Sequence, residues 1–183
     1  MLQRIIKYPN TPVLRPLYDL SGRFGRGFFS IYDRDCGDLV RGLVRRADRG
    51  TVLDLGSGFG SDFMLWLRER VGFTGRIISI DADSEVFREK PQYGYERLGD
   101  LRICEDAHAI SLGDGTVDLV HQQGMFADIE DKINIGQVFN EVSRVLKSGG
   151  IYVVNDSVHP LQNENFIQVK ADREYHWAAY RKR

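Results

Sequence analysis

The segment Val52-Leu53-Asp54-Leu55-Gly56-Ser57-Gly58-Phe59-Gly60 constrains this chain more than any other. An apolar run with one acid inside it leads into three glycines at alternate positions. Such a run is what a strand buried on both faces looks like. The glycines let the backbone turn sharply and let a ligand approach the main chain. Phe63 to Val71 follows, with Phe63, Leu65, Trp66 and Leu67, and reads as a helix. Strand, glycine turn and helix in this order place the turn at the carboxyl edge of a parallel sheet. Ligands of such folds bind there, near the unpaired N–H groups and positive end of the helix.

The remaining chain repeats the alternation. Asp33 to Asp48 reads as a helix, with Leu39, Val40, Leu43 and Val44 on one stripe. Arg76 to Ile80 is a second strand closed by Asp81, and Ser84 caps a short helix running to Lys90 before Pro91. Leu101–Cys104, Val117–Val120 and Ile151–Val154 read as the third, fourth and fifth strands. Ile135, Val138, Phe139, Val142 and Leu146 recur at helical spacing, and Gly149 ends that helix. Phe166–Ala171 and Trp177–Tyr180 form a closing antiparallel pair. Strands separated by helices predict βαβ units and a doubly wound, largely parallel sheet. The first 30 residues differ, holding Pro9, Pro12 and Pro16 with Gly22, Gly25 and Gly27. They predict an irregular arm over residues 1–32, ahead of one domain over 33–183.

The glycine spacing selects among ligands. A turn that cradles a dinucleotide pyrophosphate has the pattern GxGxxG. Here the third glycine comes one residue early, and Ser61 stands where that pattern wants Gly. Asp54, just before the turn, opposes a phosphate but suits an ammonium. The spacing therefore disfavours a nicotinamide oxidoreductase, while a tight turn holding no ligand stays open.

From Val52 to Ser157 the chain resembles class I S-adenosylmethionine-dependent methyltransferases. The resemblance rests on Leu53 to Gly60, on Asp81 after the second strand, on Asp106-Ala107 after the third, and on Glu141 to Gly150 before the fifth. It implies a Rossmann-like, mostly parallel seven-stranded sheet with a short C-terminal antiparallel hairpin. It also implies S-adenosyl-L-methionine as cofactor. The backbone of Gly56, Ser57, Gly58 and Gly60 would hold the methionine part, with Asp54 near the amino group. Asp81 would accept from the two ribose hydroxyls, a task that suits a carboxylate. Ala82 and Asp83 would flank the adenine. Asp106, beside Ala107, would accept from its exocyclic amine, and His121 would contact the cofactor through its main chain. Singly, Asp81 also reads as a helix cap and Asp106 as a loop acid. The Glu141–Gly150 stretch is a packing motif.

Methyl transfer from a sulfonium needs alignment more than a base, so catalytic residues are hard to read. His121 is the base candidate, with packing or hydrogen bonding as the alternative reading of its side chain, and His108 competes less well because it follows the adenine pair. The acceptor edge should include His121 to Asp128, and Tyr18, Phe28, Phe29 and Tyr32 of the arm read as a lid or as core. The framework over Gly56–Gly75 and Val117–Asp156 is similar to that of arsenite methyltransferases. That group places a cysteine where Gly124 stands, and an arsenic acceptor needs several soft thiolates. Cys36 and Cys104 are too few and wrongly placed, so arsenite is not the expected acceptor. The Pro-Pro signature of nucleic-acid amino methylation is also absent after the fourth strand.

Composition narrows partners. The formal net charge is −1, and two short basic clusters occur, Arg41/Arg45/Arg46/Arg49 and Arg181/Lys182/Arg183. Neither describes the continuous basic face of a nucleic-acid enzyme. No apolar run approaches the about 20 residues that span a bilayer. The start, Met1 to Lys7, is too polar for a secretory signal. The unpaired cysteines suit a cytoplasmic setting without structural zinc, and no metal site is expected. Only Asp156 to Asn165 fills the place of the family's acceptor-binding insertion. A small-molecule acceptor is therefore expected, covered by the arm or by a partner chain or second copy. A non-catalytic cofactor-binding subunit and a nucleic-acid or protein methyltransferase are the alternatives.

Overall fold

The computed structural model describes residues 37–46, 50–58, 62–88, 99–126, 135–156, 163–172 and 177–183. The expected arm, its aromatic residues, Cys36 and Gly60 lie outside these. The elements are α1 (Gly37–Arg46), β1 (Thr51–Leu55), α2 (Asp62–Trp66) with a wider π turn over Leu67–Val71, β2 (Arg76–Asp81), α3 (Glu85–Arg88), β3 (Leu101–Cys104), β4 (Val117–Gln123), α4 (Ile135–Val145), β5 (Leu146–Asn155), β6 (Phe166–Asp172) and β7 (Trp177–Lys182).

The seven strands form one sheet in the order β3-β2-β1-β4-β5-β7-β6. β1 pairs parallel with both β2 and β4, β2 with β3, and β4 with β5. β7 runs antiparallel to β5 and to β6. The expected hairpin is thus present, with β7 inserted between β5 and β6. The order reverses between β1 and β4, the crevice where doubly wound sheets bind ligands.

Alternation along the strands sends side chains to two faces. Leu53, Leu55, Ile78, Ile80, Val120, Tyr152 and Val154 face α4, which buries Val138, Phe139, Val142 and Val145 on them. Val52, Ile77, Leu119, Ile151 and Val153 face the other way, under Val40 of α1 and Phe63, Met64, Trp66 and Leu67. Burial of each such side chain stabilises by roughly 1.5–3 kcal/mol. On the α4 face Phe139 meets Tyr152, Phe166 and Tyr180 edge-on at 5.2, 5.9 and 6.2 Å. These rings tie α4 to β5, β6 and β7.

Two helix ends differ from the sequence pattern, and β4 and β5 run longer than expected. The helix expected over Phe63–Val71 is α-helical only to Trp66 and then widens. Gly72 ends it at φ 72°, where its N–H and that of Phe73 both reach the Leu67 carbonyl. Arg68 secures the widened turn by donating to the carbonyls of Phe73 and Gly75 at 2.7 and 2.9 Å. Helix α4 ends at Val145, not at Gly149, and β5 begins at Leu146. The last helical carbonyls are satisfied by the backbone before β4, with Gly115 N–H on Arg144 and Thr116 N–H on Val145, both at 2.9 Å. The chain can therefore pass from helix to strand without a glycine cap.

Candidate functional site

The glycine turn is pinned by backbone. Gly56 and Ser57 N–H both donate to the Ile80 carbonyl, at 2.9 and 3.1 Å. Gly56 and Gly58 stand at φ 68° and 52°, values L side chains rarely adopt. A Cβ on Gly56 would press on Met125 at 3.3 Å, whereas one on Gly58 would enter open space.

Asp81 closes this turn from the end of β2. Its Oδ2 accepts from Gly58 N–H at 2.8 Å and its Oδ1 from Asp83 N–H at 2.9 Å. Burial pushes the Asp81 carboxyl above the usual range, against those two hydrogen bonds. Asp81 therefore works as a clasp on the glycine turn, a more specific geometry than a helix cap.

Asp106, after β3, is exposed and makes a local turn with His108. Its Oδ1 accepts from His108 N–H at 2.9 Å and contacts His108 Nδ1 at 2.6 Å. The backbone bond from His108 is the main reason its carboxyl lies below the usual range. Ala82 is exposed after β2, and Ala107 packs against the core from the loop after β3. The turn, Asp81 and Ala82, and Asp106 and Ala107 thus follow the carboxyl ends of three adjacent parallel strands.

Asp54 and His121 lie opposite each other in the β1–β4 register. Asp54 is 3% exposed and His121 0%. Asp54 Oδ1 sits 3.1 Å from His121 Nδ1. The imidazole stacks on Phe63 with centroids 4.1 Å apart and planes 3° apart. His121 Nε2 and Ser57 Oγ are both buried without a hydrogen-bond partner. The sequence pattern singled out both residues of the pair but not their contact, since strand register is invisible in one sequence.

Two further groups lie in stretches that the sequence singled out, the expected acceptor edge and the Glu141–Gly150 motif, but their contacts had no sequence signal. Beyond β4, Asp156 accepts Phe126 N–H at 2.6 Å and the Gln122 amide at 3.3 Å, and Tyr152 donates to Gln122 Oε1. This buried set fixes the turn that carries Met125 against Gly56. On α4, Glu141 accepts Ile110 N–H at 2.9 Å, while Arg144 donates to the Leu112 and Ile110 carbonyls at 2.8 and 2.6 Å and to Asp114. The Glu141–Gly150 stretch thereby anchors the loop that follows Asp106. Hydrogen bonds from Arg144 hold the Glu141 carboxyl below the usual range. No group of three metal-ligating side chains occurs among the described residues, and no helix there is long and apolar enough to cross a membrane.

Comparison with known proteins bears on the fold and the family. The chain is 31% identical over 126 residues to a 37.1 kDa protein in transposon TN4556 of Streptomyces fradiae, covering 68% of this chain and 35% of that one. It is 29% identical over 140 residues to an arsenite methyltransferase of Halobacterium salinarum, covering 75% of this chain and 34% of the relative. The chain thus spans about a third of the length of these curated relatives. The solved structure of a Pyrococcus horikoshii protein shares the fold, with a TM-score of 0.57 at 20% identity over 82% of this chain and 89% of that one. Residues 53–154 match the family model described as a methyltransferase domain. The chain belongs to the methyltransferase domain family.

Proposed function

We propose that the chain binds S-adenosylmethionine and transfers its methyl group to a small-molecule acceptor. The observation that carries this is the clasp of Asp81 on Gly58, which joins the end of β2 to the glycine turn at 2.8 Å. The donor set suits the cofactor. The space beside Gly58 and the unpartnered Ser57 hydroxyl admit a polar ligand against the main chain. Each carboxylate oxygen of Asp81 has a second lone pair left for a ribose hydroxyl.

When bound, S-adenosylmethionine supplies a methyl group already activated on a sulfonium. The chain's own task is then to hold, orient and exclude water. Gly56, Ser57 and Gly58 would hold the methionine part through the backbone, with Gly60 joining them on the sequence pattern alone. Asp54 would offer negative charge to the amino group, Asp81 would accept from the ribose, and Ala82, Asp106 and Ala107 would edge the adenine. The His121 side chain is sealed in the core, which favours a supporting role over that of a base.

The small-molecule acceptor rests on the charge pattern and on Gly124-Met125-Phe126, an apolar turn placed beside the glycine turn by Asp156. The Halobacterium relative is named for arsenite, yet this chain has Gly124 and no cysteine in the turn after β4, and an arsenic acceptor needs several soft thiolates. The test supplies methyl-labelled S-adenosylmethionine with pooled metabolites, RNA, DNA or protein. Label in the low-mass fraction is expected. Label in nucleic acid or protein overturns the acceptor class. Binding without transfer to any pool points to a non-catalytic subunit.

A further inference from the structure

His121 is a histidine that the core does not need for packing. An apolar ring would stack on Phe63 equally well, and it would leave no orphaned nitrogen. Instead Nε2 is buried with no partner, an arrangement that costs stability. The other nitrogen accounts for the choice. A carboxylate only accepts hydrogen bonds, so Nδ1 carries the hydrogen toward Asp54 Oδ1 at 3.1 Å. Phe63, parallel at 4.1 Å, prevents the ring from tilting away. Asp54 is otherwise a carboxylate in an apolar strand, two residues before Gly56.

We propose that His121 is a positioning residue that orients the Asp54 carboxylate toward the ammonium group of an amino-acid-bearing nucleoside ligand in the glycine turn. The inference rests on the cofactor reading above and deepens it. Its content is that β4 takes part in recognising the amino-acid end of the ligand from inside the sheet. One oxygen of Asp54 is held by Nδ1, which fixes the direction of the other. Phe63, from α2, sets the ring that does the holding. Asp81 and Asp106, at the nucleoside end, take their hydrogen bonds from Gly58, Asp83 and His108 rather than from this pair.

Titration calorimetry with S-adenosylhomocysteine and with methylthioadenosine tests it, because the second ligand has the nucleoside but no amino-acid end. His121→Phe keeps the stack and removes the donor. His121→Asn keeps a donor at the Nδ1 position, and His121→Gln moves it to the Nε2 position. S-adenosylhomocysteine should bind His121→Phe at least about tenfold more weakly and His121→Asn within about threefold of wild type, as expected for a hydrogen bond to a charged group. Methylthioadenosine should bind all variants alike. If His121→Phe does not fold, Asn retaining and Gln losing S-adenosylhomocysteine affinity supports the assignment, and the reverse order overturns it. Equal losses for both ligands reduce His121 to a structural role and overturn it. Wild type that binds neither ligand defeats the cofactor reading itself, and this inference with it.

Discussion

The two sides of the sheet's reversal point hold their carboxyl ends by different means. On the β1–β2–β3 side the main chain does most of the work. Gly56 and Ser57 hang from the Ile80 carbonyl and Gly58 from Asp81, and Glu105 N–H returns to the Asp81 carbonyl at 3.1 Å. On the β4–β5 side buried side chains do it, through Tyr152, Gln122 and Asp156, above the aromatic cluster around Phe139. A backbone cradle can serve any ligand whose shape it fits and needs few side chains. A side-chain cradle can be rebuilt around different acceptors. The contrast fits the proposed division into a cofactor half, at the glycine turn, and an acceptor half, at the turn after β4.

The contrast can be broken by mutation. Phe139→Ala should cost about 3–5 kcal/mol, because it removes the ring that joins α4 to β5, β6 and β7. Urea denaturation measures this, and a loss under about 1 kcal/mol would mean the acceptor half does not depend on its aromatic centre. Asp156→Ala should cost about 1.5–3 kcal/mol, since it strips the buried Phe126 N–H and Gln122 amide of their acceptor. Met125 should then loosen from Gly56, readable as faster amide exchange at residues 124–126. Unchanged exchange there would show that the turn is not held by Asp156.

Acid titration separates two structural carboxylates, Asp81 and Glu141, by sign. Burial raises the Asp81 carboxyl, so the folded state takes up a proton before the unfolded state does. The stability of wild type relative to Asp81→Asn should therefore grow as pH falls toward the ordinary Asp value of about 3.9. Glu141 behaves oppositely. Its carboxyl is lowered by Arg144 and by Ile110 N–H, so its contribution is complete above the ordinary Glu value of about 4.3 and fades below it. Wild type relative to Glu141→Gln should lose stability over that lower window. Melting curves from pH 6 downward check both, and slopes of the same sign would refute the assignment. The effect is the smallest of the three, because Glu141 is partly solvated.

Much of the cofactor half was legible because its signals are local. The run Val52–Leu55, the glycines behind it and the acids after β2 and β3 each report on a strand end from adjacent residues. The resemblance implied a mostly parallel seven-stranded sheet with a C-terminal hairpin, and the strand order itself is seen only in the structure. The acceptor half was less legible because its determinants are distant in sequence. Gln122 and Asp156 meet only when β4 and β5 pair, and Asp54 meets His121 only through the β1–β4 register. The end of α4 was misplaced for the same reason. Gly149 looked like a cap, but the true partners of the last turn are Gly115 and Thr116, some 30 residues away. Tyr18, Phe28, Phe29 and Tyr32, read as a lid or as core, fall outside the described residues.

Calorimetric titration of wild type and Asp81→Ala with S-adenosylhomocysteine and with NAD tests the central claim most directly. The account predicts one S-adenosylhomocysteine site in the micromolar range, about −8 kcal/mol, with NAD far weaker. Asp81→Ala should weaken that site by about 1.5–3 kcal/mol while the domain stays folded. Tight NAD binding with no S-adenosylhomocysteine binding would contradict the account, and an Asp81→Ala variant that binds like wild type would remove Asp81 from the site.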